Sequence, residues 1–312
     1  MKNRKSIKLS LIVPFYNEEK MVDIFFETVI PIVKKISNDY EIICVNDSFA
    51  DTTFELLKKW HFINNKIKVL TFSRNFGKEA AMTAGVDYCT GDAAVFIDAD
   101  LQDPPQELSK MVEKWKEGFD VVLMKRLRRN KDSFFKRVTA YCFYRIINFM
   151  SHKMVEKDVS DFRLLDRKVL DVLKCLKEKN RFMKGLMSWS GFKKCDLYFE
   201  RPARIKGKTK FNCSKMIRLA FDGIFSFSIM PIRLFTLLGI LLSIISFIWI
   251  FYIIYQKLYL GDVVSGWASI MSIILFFNGV IMIGLGVLGE YVGRVYNEVK
   301  DRPIYVVDQE LF

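Results

Sequence analysis

Two long apolar segments near the C-terminus constrain the fold of this chain more than any other feature. Leu234 to Tyr255 is a run of 22 residues without a charge, and Val263 to Gly289 is a run of 27. A helix of about 20 apolar residues crosses the hydrocarbon core of a membrane. A soluble protein could bury such helices in its core, but two in succession with a short link are typical of a membrane hairpin. The sequence therefore predicts two transmembrane helices behind a larger N-terminal domain.

The charges that flank these segments predict their orientation. Arg233 precedes the first segment, and the link at 256–262 contains one Lys and one Asp. Three cations follow the second segment: Arg294, Lys300 and Arg302. Lys and Arg are enriched on the cytoplasmic side of membranes. The N-terminus is basic and polar, and no long apolar region follows it, unlike a secretory signal. Both termini and the N-terminal domain are therefore expected in the cytoplasm.

The positive charge of the chain is concentrated in the N-terminal domain. The formal net charge is +13, and residues from Ile232 onward hold five Lys or Arg and six Asp or Glu, which leaves 43 basic and 29 acidic residues in 1–231. A basic domain beside a membrane anchor indicates an anionic lipid surface or a phosphorylated substrate. Nucleic acid is the competing explanation, but no nucleic-acid-binding motif stands out, so none is expected as a partner. The six cysteines form no metal-like cluster and are expected to be reduced thiols.

The first candidate for a reactive site lies in the middle of this domain. An apolar run ends at Ile97 and is followed by Asp98, Asp100 and Asp103 and then by two prolines. The run is typical of a buried parallel strand, and ligands bind beyond the carboxyl ends of such strands. Side chains alternate along an extended segment, so Asp98 and Asp100 point the same way. Two neighbouring carboxylates favour a cation such as Mg²⁺ or Mn²⁺, which usually also holds a diphosphate. A polar turn with Asp at cap positions is the alternative.

Polar loops also follow three more predicted strands. These strands are Lys8–Val13, Tyr40–Val45 and Ile67–Phe72, and a further strand is predicted at Asp120–Met124. Helices separate them, among them one from Gly77 to about Cys89, so the pattern predicts a parallel, helix-covered α/β sheet. The carboxyl ends of parallel strands meet at one edge of the sheet. Four loops are therefore expected there: Pro14–Glu18, Asn46–Thr53, Ser73–Lys78 and Asp98–Asp103.

The charges in these loops suit a nucleotide diphosphate. Carboxylates can contact the base and ribose or hold a metal, and Arg74 and Lys78 can contact phosphate. The N-terminal domain contains neither a Gly-x-x-x-x-Gly-Lys phosphate loop nor a Gly-x-Gly-x-x-Gly motif. These absences exclude a P-loop NTPase and a dinucleotide-binding Rossmann domain.

Seven motifs occur in order along the chain. They are Val13-Pro-Phe-Tyr-Asn-Glu-Glu19, Val45-Asn-Asp-Ser with Asp51 and Thr53, Ser73-Arg-Asn-Phe-Gly-Lys-Glu79, Ile97-Asp-Ala-Asp-Leu-Gln-Asp-Pro-Pro105, Asp161-Phe-Arg-Leu164, Trp189-Ser-Gly-Phe192 and Arg201-Pro-Ala-Arg204. Together with the two apolar segments they resemble glycosyltransferase family 2, namely its enzymes that glycosylate polyprenyl phosphates. Bactoprenol glucosyltransferases and dolichyl-phosphate mannosyltransferases are examples. The resemblance covers nearly the whole chain.

The resemblance implies a GT-A fold, which is a nucleotide-diphospho-sugar transferase domain built on a mixed α/β sheet, with a C-terminal two-helix transmembrane hairpin. The expected divisions are a cytoplasmic GT-A catalytic domain at 1–212, an interfacial amphipathic helix at 213–231, transmembrane helix 1 at 232–256, a short extracytoplasmic loop at 257–264, transmembrane helix 2 at 265–289 and a cytoplasmic C-terminal tail at 290–312.

The resemblance also implies roles for individual residues. The nucleotide sugar is expected to contact Pro14, Tyr16, Glu18, Asp47, Lys78 and Asp98. A Mg²⁺ or Mn²⁺ ion is expected at Asp100 and Gln102, with Asp98 serving either the nucleotide or, directly or through water, the metal. Asp161 and Arg163 are expected to be catalytic. The phosphates of donor and lipid are expected to contact a basic set, which consists of Arg126, Arg137, Arg201, Arg204 and Lys210.

The chain departs from the family pattern in two loops. Ser48-Phe49 stands where Gly-Ser is usual, and a β-carbon there narrows the backbone options of the turn near the nucleobase. In the basic loop around Gly207, which is a mobile lid in the family, Thr209 and Phe211 replace Ser and Tyr. The first departure affects the nucleobase contacts and leaves the metal site intact.

Two segments are candidates for helices at the membrane surface. The segment 134–149 mixes Phe, Tyr, Ile and Val with Lys136, Arg137 and Arg145, and a second candidate is 214–227. Mixed aromatic and basic residues are typical of helices that lie in a membrane interface. A helix that packs on the core with a basic solvent face is the alternative.

Two chemical roles are open to Asp161. A lipid phosphate has a second pKa of about 6 and is mostly dianionic at pH 7, so it hardly needs a base. Asp161 can therefore either take a proton or orient the acceptor or Arg163. A buried carboxylate that caps a helix is the structural alternative.

Glycines recur every seven residues in and beyond the second apolar segment. They are Gly279, Gly286 and Gly293, with Gly289 beside them. Such a face favours close helix packing, either within the hairpin or between protomers. Together with the oligomers that family members form, it predicts a homo-oligomer, with a tetramer as the expected size.

The sequence as a whole predicts a metal-dependent, inverting glycosyltransferase anchored in the bacterial inner membrane by more than one span. The expected reaction moves a hexose, with UDP-glucose as the expected donor, to undecaprenyl phosphate on the cytoplasmic face for modification of a cell-envelope glycan. The alternatives are another donor, such as UDP-aminoarabinose, UDP-N-acetylhexosamine or GDP-mannose, and an inactive nucleotide-sugar sensor. A processive polysaccharide synthase is not expected, because its Gln-x-x-Arg-Trp motif does not occur.

Overall fold

The computed structural model describes residues 7–47, 50–126, 159–176, 178–179, 181, 183–199, 230–259 and 266–312. These residues form two compact units. The first contains the residues up to Phe199 together with the C-terminal segment from Arg302, and the second contains the two helices between Met230 and Asp301.

A mixed sheet forms the centre of the first unit, and eight of its strands lie in the described part of the chain. They are β1 (Leu9–Phe15), β2 (Tyr40–Asn46), β3 (Ile67–Phe72), β4 (Ala93–Phe96), β5 (Val121–Arg126), β6 (Val159–Asp166), β7 (Lys194–Phe199) and β8 (Val307–Leu311). Their order across the sheet is β7-β5-β6-β4-β1-β2-β3-β8. Strands β1 to β4 are parallel, whereas β6 is antiparallel to both β4 and β5, and β8 is antiparallel to β3. The carboxyl ends of β1 to β4 therefore share one edge, as the sequence predicts.

Helices cover both faces of this sheet. In the described residues of the first unit they are α1 (Val22–Ile36), α2 (Thr53–Ile63), α3 (Lys78–Tyr88), α4 (Leu108–Lys116), α5 (Arg167–Cys175) and α6 (Met183–Trp189). The buried apolar residues of α1, α2 and α4 join one large hydrophobic cluster. Helix α3 packs on β1 and β2 and contacts α5 and α6. Because both faces are covered, the central strands read as continuous apolar runs.

Strand β1 continues past the predicted end at Val13. Pro14 lies inside it and pairs with Val45 of β2. Proline has no amide hydrogen and is tolerated where a ladder needs no donor. The pairing of β1 with β4 ends at Ile12. On that side, β4 therefore needs no hydrogen bond from the backbone nitrogen of residue 14. The expectation that Pro14 closes the strand is therefore wrong.

Small residues let α3 lie close to the sheet. Ala80, Ala81, Ala84 and Gly85 are all buried. A β-carbon at Gly85 would lie 2.1 Å from Cγ2 of Ile12, far inside ordinary contact distance. Gly85 therefore sets how closely α3, and with it the residues at its N-terminus, approaches β1.

A buried carboxylate fastens the opposite edge of the sheet, where β2 begins. Glu41 is 3% exposed. The hydroxyl of Ser10 donates to Glu41 Oε1 at 2.6 Å, and Thr90 donates through its amide at 2.6 Å and its hydroxyl at 2.9 Å. Lys68 Nζ lies 2.9 Å from Glu41 Oε2. Burial alone raises the pKa of Glu41, but these four interactions outweigh it and lower the pKa to about 2.

The C-terminal segment completes the sheet. The edge strand β8 pairs with β3, and the ring of Tyr305 stacks on Phe72 with the ring centroids 5.1 Å apart. The Tyr305 hydroxyl donates to Asp87 Oδ2 at 2.7 Å, and Phe312 stacks on Tyr88 with a centroid distance of 5.4 Å. The segment 290–312, which the sequence predicts as a tail, therefore includes a strand of the central sheet.

The second unit is a helical hairpin of α7 (Met230–Tyr259) and α8 (Trp267–Val299). Two stretches are long and apolar enough to cross a membrane, Ile232–Trp249 and Phe276–Val299, and 0% and 6% of their residues are buried. Core helices of soluble proteins can be equally long and apolar, but they are mostly buried. The exposure of these helices argues against that alternative.

A glycine outside the predicted heptad series makes the close contact of the hairpin. A β-carbon at Gly284 of α8 would lie 2.1 Å from Cε1 of Phe235 on α7. The glycines of the predicted series make no such close contact within the described chain. A β-carbon would meet no atom of the described chain within 4 Å at Gly279, Gly286, Gly289 or Gly293. The close approach of α8 to Phe235 therefore depends on Gly284.

Candidate active site

The loop after β1 is held against the start of α2. The amide of Glu18 donates to Thr53 Oγ1 at 3.1 Å. Asn17 has a φ of 54°, a left-handed conformation that Asn adopts more readily than most residues. Pro14, near the end of β1, is half-buried, and Tyr16 at the start of the loop is 45% exposed. An exposed aromatic ring beside the strand ends offers a flat apolar face to a nucleobase.

Asp47 follows β2 and organises the loop after β3. It is 3% exposed, and its two carboxylate oxygens accept from the amides of Phe76 at 2.6 Å and Gly77 at 2.8 Å. Gly77 has a φ of 93°, a conformation that glycine adopts without strain. Burial raises the pKa of Asp47, although the hydrogen bonds from the two backbone amides oppose the rise. Asp47, which is predicted to contact the nucleotide, thus also holds the backbone that leads into α3.

Lys78, the first residue of α3, joins two of the predicted site carboxylates. Its Nζ lies 2.6 Å from Asp98 Oδ1 and 2.8 Å from Asp161 Oδ2. Burial alone would lower the pKa of Lys78, but the charges of Asp98 and Asp161 outweigh it and raise the pKa above that of an ordinary lysine. The ammonium group is therefore firmly protonated.

The register of β6 explains why Asp161 and Asp98 meet. Arg163 of β6 lies opposite Phe96 of β4, and the two strands are antiparallel. Asp98 lies two residues after Phe96, and Asp161 lies two residues before Arg163. Because side chains alternate along a strand, Asp98 and Asp161 fall on the same face and at the same end of the β4–β6 pair. A candidate catalytic carboxylate and a candidate donor-site carboxylate are brought together although they are far apart in sequence.

A tight turn presents Asp100 at the same edge. Leu101 has a φ of 52°, which is strained for a residue with a β-carbon, and its side chain is 7% exposed. The amide of Gln102 donates to Asp100 Oδ1 at 3.1 Å, and the Gln102 side chain is 8% exposed. Burial of Leu101 in the core therefore holds a turn that would otherwise relax.

The oxygen atoms at this turn fit a divalent cation that is shared with a diphosphate. Mg²⁺ is usually bound through one or two carboxylates plus substrate phosphates and water. Asp98 and Asp100 supply two carboxylates, and each is half-buried. Within the described ranges, no group of three or more His, Cys, Asp or Glu side chains is arranged around a common point. The donor diphosphate would have to complete the coordination.

Arg163 is buried beneath the site. It is 2% exposed, and its guanidinium donates to the carbonyl of Ser160 at 2.9 Å and to the sulfur of Met187 at 3.3 Å. It also lines a small cavity with Leu123 and Phe192, among others. These contacts join the start of β6 to α6. Arg163 therefore fixes the backbone of Ser160, the residue that precedes Asp161.

Two family models match this chain. The model of glycosyl transferase family 2 matches residues 10–173, and that of the GtrB C-terminal hairpin matches residues 230–295. The first match covers the sheet up to α5, with every candidate site residue just described, and the second covers α7 and most of α8.

The chain belongs to glycosyltransferase family 2. The predicted family, the GT-A-type fold with a C-terminal hairpin and the assignment as a glycosyltransferase are confirmed.

Relatives are similar to this glycosyltransferase along nearly its whole length. An uncharacterized glycosyltransferase of Bacillus subtilis, YkcC, is 44% identical and the match covers 98% of this chain and 94% of the relative. A prophage bactoprenol glucosyl transferase homolog of Escherichia coli is 42% identical, with 96% of this chain and 98% of the relative covered. The bactoprenol glucosyl transferase of Shigella phage SfII is 42% identical, with 96% and 97% covered.

Part of the predicted site falls outside the described residues of this glycosyltransferase. Arg126 ends β5, but its side chain is not described. The other predicted phosphate ligands and both candidate interfacial helices lie outside the described ranges: Arg137, Arg201, Arg204, Lys210, 134–149 and 213–231. The departure at Ser48-Phe49 lies outside them as well. These assignments stay predictions.

Glu79 attaches the first turn of α3 to α6, a role that the sequence did not predict. Its Oε2 accepts from the amide of Met183, the first residue of α6, at 2.7 Å. An acidic residue in the first turn of a helix is usually explained by the helix dipole. Its position next to Lys78 within a family motif was the available signal, and only the contact of α3 with α6 shows what it does.

Proposed function

We propose that this glycosyltransferase transfers glucose from UDP-glucose to undecaprenyl phosphate, with inversion, on the cytoplasmic face of the bacterial inner membrane. The product would supply glucose for modification of a cell-envelope glycan. The names of the E. coli and phage relatives support a bactoprenol acceptor and a glucosyl group, and their similarity covers both the sheet and the hairpin. The observation that carries the proposal is the meeting of Asp98 with Asp161 across Lys78 at the edge where four loops converge.

The donor would lie across the carboxyl ends of β1, β2 and β4. Tyr16 offers its exposed ring to the base, with Pro14 in the strand before it and with Glu18 holding the loop after it to Thr53. Asp47 contributes mainly by fixing Phe76 and Gly77, so that α3 would begin beside the diphosphate. When bound to Asp98 and Asp100, Mg²⁺ or Mn²⁺ would offset the negative charge of the departing diphosphate.

The acceptor would approach from the side of Asp161. An oxygen of the lipid phosphate forms a bond to the anomeric carbon as the bond from that carbon to the diphosphate breaks, and UDP leaves. A phosphate that is mostly dianionic at pH 7 needs no base. We therefore assign Asp161 to orientation of the acceptor, and Arg163 to holding Asp161 through Ser160. Fixed orientation of this kind can supply several kcal/mol of the barrier reduction.

The path of the chain supports a two-span anchor with both ends in the cytoplasm. Helix α7 follows the catalytic sheet in sequence, and α8 is followed by β8, which belongs to that same sheet. A chain that crosses the membrane in α7 must therefore cross back in α8. An even number of spans and cationic flanks support a position of the sheet on the cytoplasmic side, where nucleotide sugars are available.

The glycines of α8 support a homo-oligomer. Gly279, Gly286 and Gly293 lie one heptad apart and meet no atom of the described hairpin at their β-carbon positions. Small residues on one helix face allow another helix to approach closely in a membrane. Crosslinking in membranes should trap dimers and larger species, with a tetramer as the expected limit. Recovery of monomers alone, in membranes and in detergent, would contradict this assembly.

The direct test is a transfer assay with the purified full-length enzyme. Undecaprenyl phosphate is incubated with a panel of radiolabelled nucleotide sugars, and the lipid product is separated by thin-layer chromatography. The largest product signal is expected with UDP-glucose and Mg²⁺ or Mn²⁺. A different preferred donor would correct the sugar, and the absence of lipid product from every donor would favour the sensor alternative.

A matched pair of variants connects the assay to the site. Asp161→Asn should lower turnover by about 100-fold, because the acceptor loses an orienting charge. Asp171→Asn removes the same charge from an exposed position in α5, where Asp171 pairs with Arg167 at 3.7 Å. It should leave turnover unchanged. Equal turnover in both variants would contradict the assignment of Asp161.

A further inference from the structure

Lys78 stands between two attachments of α3 to the rest of the unit. On one side, the amide of Gly77 donates to Asp47 Oδ2 at 2.8 Å. On the other side, Glu79 Oε2 accepts from the amide of Met183 at 2.7 Å. The backbone at Lys78 is therefore fixed by the end of β2 and by α6 before any ligand binds. The position of its ammonium group depends only on its own side-chain torsions.

Two carboxylates determine those torsions. The Nζ atom lies 2.6 Å from Asp98 Oδ1 and 2.8 Å from Asp161 Oδ2. The side chains of Asp98 and Asp161 are 29% and 22% exposed, so water screens them only in part. Like charges held this close in a partly desolvated site destabilise each other. The ammonium group removes that repulsion and joins the end of β4 to the start of β6.

Removal of Lys78 would leave the two carboxylates without their shared counter-ion. The ammonium group of Lys78 lies within ion-pair distance of both Asp98 and Asp161, and the formal charges of these three side chains sum to −1. Without Lys78 the two carboxylates would carry −2, and they would attract a divalent cation more strongly before any nucleotide arrives.

We infer that Lys78 is a tethered counter-ion: it holds Asp161 against Asp98 in the free enzyme, and it releases Asp98 to the incoming metal while it keeps Asp161. Lys78 is thus a positioning residue for Asp161 and a competitor of the metal at Asp98. The inference rests on the proposed function, which gives Asp161 its task. A lysine that served only to bind the donor phosphate would not need contacts with both carboxylates.

The test that needs no sugar is a titration with Mn²⁺ alone. Free Mn²⁺ is followed by electron paramagnetic resonance in solutions of the purified full-length enzyme without nucleotide. Lys78→Met should bind Mn²⁺ about tenfold more tightly than the wild type, because the competing cation is gone. Lys59→Met removes one positive charge from the exposed surface of α2 and should bind as the wild type does. Unchanged or weaker Mn²⁺ binding by Lys78→Met would overturn the inference.

Transfer kinetics then separate positioning from donor binding. With UDP-glucose and undecaprenyl phosphate, Lys78→Met should lower kcat by about 100-fold and change the KM for UDP-glucose by less than about threefold, because the misplaced group is Asp161. Lys78→Arg keeps the charge and should recover part of kcat. A raised KM with an unchanged kcat would identify Lys78 as a donor ligand and refute the inference.

Two checks keep these outcomes distinct. The thermal unfolding midpoint shows whether Lys78→Met folds, and Lys78→Gln, which keeps a hydrogen-bond donor without the charge, carries the same expectations if the Met variant does not. A wild-type enzyme that forms no lipid product from any donor would contradict the proposed function, while the Mn²⁺ titration would still decide whether Lys78 competes with the metal.

Discussion

Replacement of Glu41 by Gln should destabilise the catalytic unit at neutral pH, although Glu41 lies at the edge of the sheet opposite to the site. The folded protein lowers the pKa of this carboxyl from 4.5 to about 2. One pKa unit corresponds to about 1.4 kcal/mol, so the charged form of Glu41 contributes about 3 kcal/mol to the free energy of unfolding. Because the folded pKa is the lower one, this contribution is present above about pH 4.5 and is lost as the pH falls toward 2.

The contacts explain why Gln cannot replace Glu at this position. Both carboxylate oxygens accept hydrogen bonds: Oε1 from Ser10 and from the amide of Thr90, and Oε2 from the hydroxyl of Thr90, beside Lys68. The side-chain nitrogen of Gln is a hydrogen-bond donor. It would face either Ser10 and the Thr90 amide or the Thr90 hydroxyl and Lys68, which are donors as well. A buried mismatch of this kind costs about as much as a lost hydrogen bond to a charged group.

Thermal unfolding of the full-length protein in detergent, followed by tryptophan fluorescence at pH 7, measures the effect. A loss of about 3 kcal/mol should lower the unfolding midpoint by about 6–12 °C for a unit of this size. Glu27→Gln, on the exposed surface of α1, should change the midpoint by less than about 2 °C. Equal midpoints for the two variants would refute the assignment of stability to the Glu41 charge.

Three further predictions test the site, the packing and the C-terminus. In Asp100→Asn, the side-chain oxygen can still accept a hydrogen bond from the amide of Gln102, but the negative charge is gone. Metal-dependent transfer should therefore be lost, while the unfolding midpoint stays within about 3 °C of the wild type. Turnover that this variant retains after metal removal would contradict the prediction. Gly85→Ala should cost about 1–3 kcal/mol in unfolding free energy, and the cost should shrink in combination with Ile12→Ala, which a double-mutant cycle measures. A chain that ends at Asp301 lacks β8 and should aggregate through the open edge of β3 in size-exclusion chromatography, whereas deletion of Phe312 alone should have a smaller effect.

The sequence predicts the parallel half of the fold well, because buried strands between helices carry a strong local signal. The apolar runs that end at Phe72 and Ile97 fall close to β3 and β4 as observed. Strand β6 is harder to foresee, since it carries Ser160, Asp161 and Arg163 among its apolar residues. Polar and charged groups in a central strand weaken the alternation from which strands are predicted.

The candidate site divides in the same way. Convergence of the loops follows from topology alone, and the structure brings Asp98, Asp100 and Lys78 to one edge as predicted. The pairing of Lys78 with Asp161 links residues 83 positions apart, so it depends on the register of an antiparallel strand that the sequence did not reveal. Tertiary contacts of this kind leave no local pattern.

Two predicted site residues make structural contacts that residue type alone does not indicate. Asp47 and Arg163 are charged, lie in family motifs and are nearly completely buried. In the structure their charged groups bond to backbone groups, and to a sulfur in the case of Arg163, so they hold loops and strands in place. A charged residue in a motif can thus serve the site through the backbone that it organises, which only coordinates reveal.

The position of β8 also determines the order in which the protein can be completed during synthesis. This strand follows both hairpin helices in the sequence, so it leaves the ribosome after them. Roughly 230 residues separate the end of β3 from the start of β8, and at about 5–20 residues per second their translation takes on the order of 10–50 seconds. During that interval β3 is an edge that strands of other nascent chains could occupy. The catalytic sheet is complete only after both helices of the hairpin have been made.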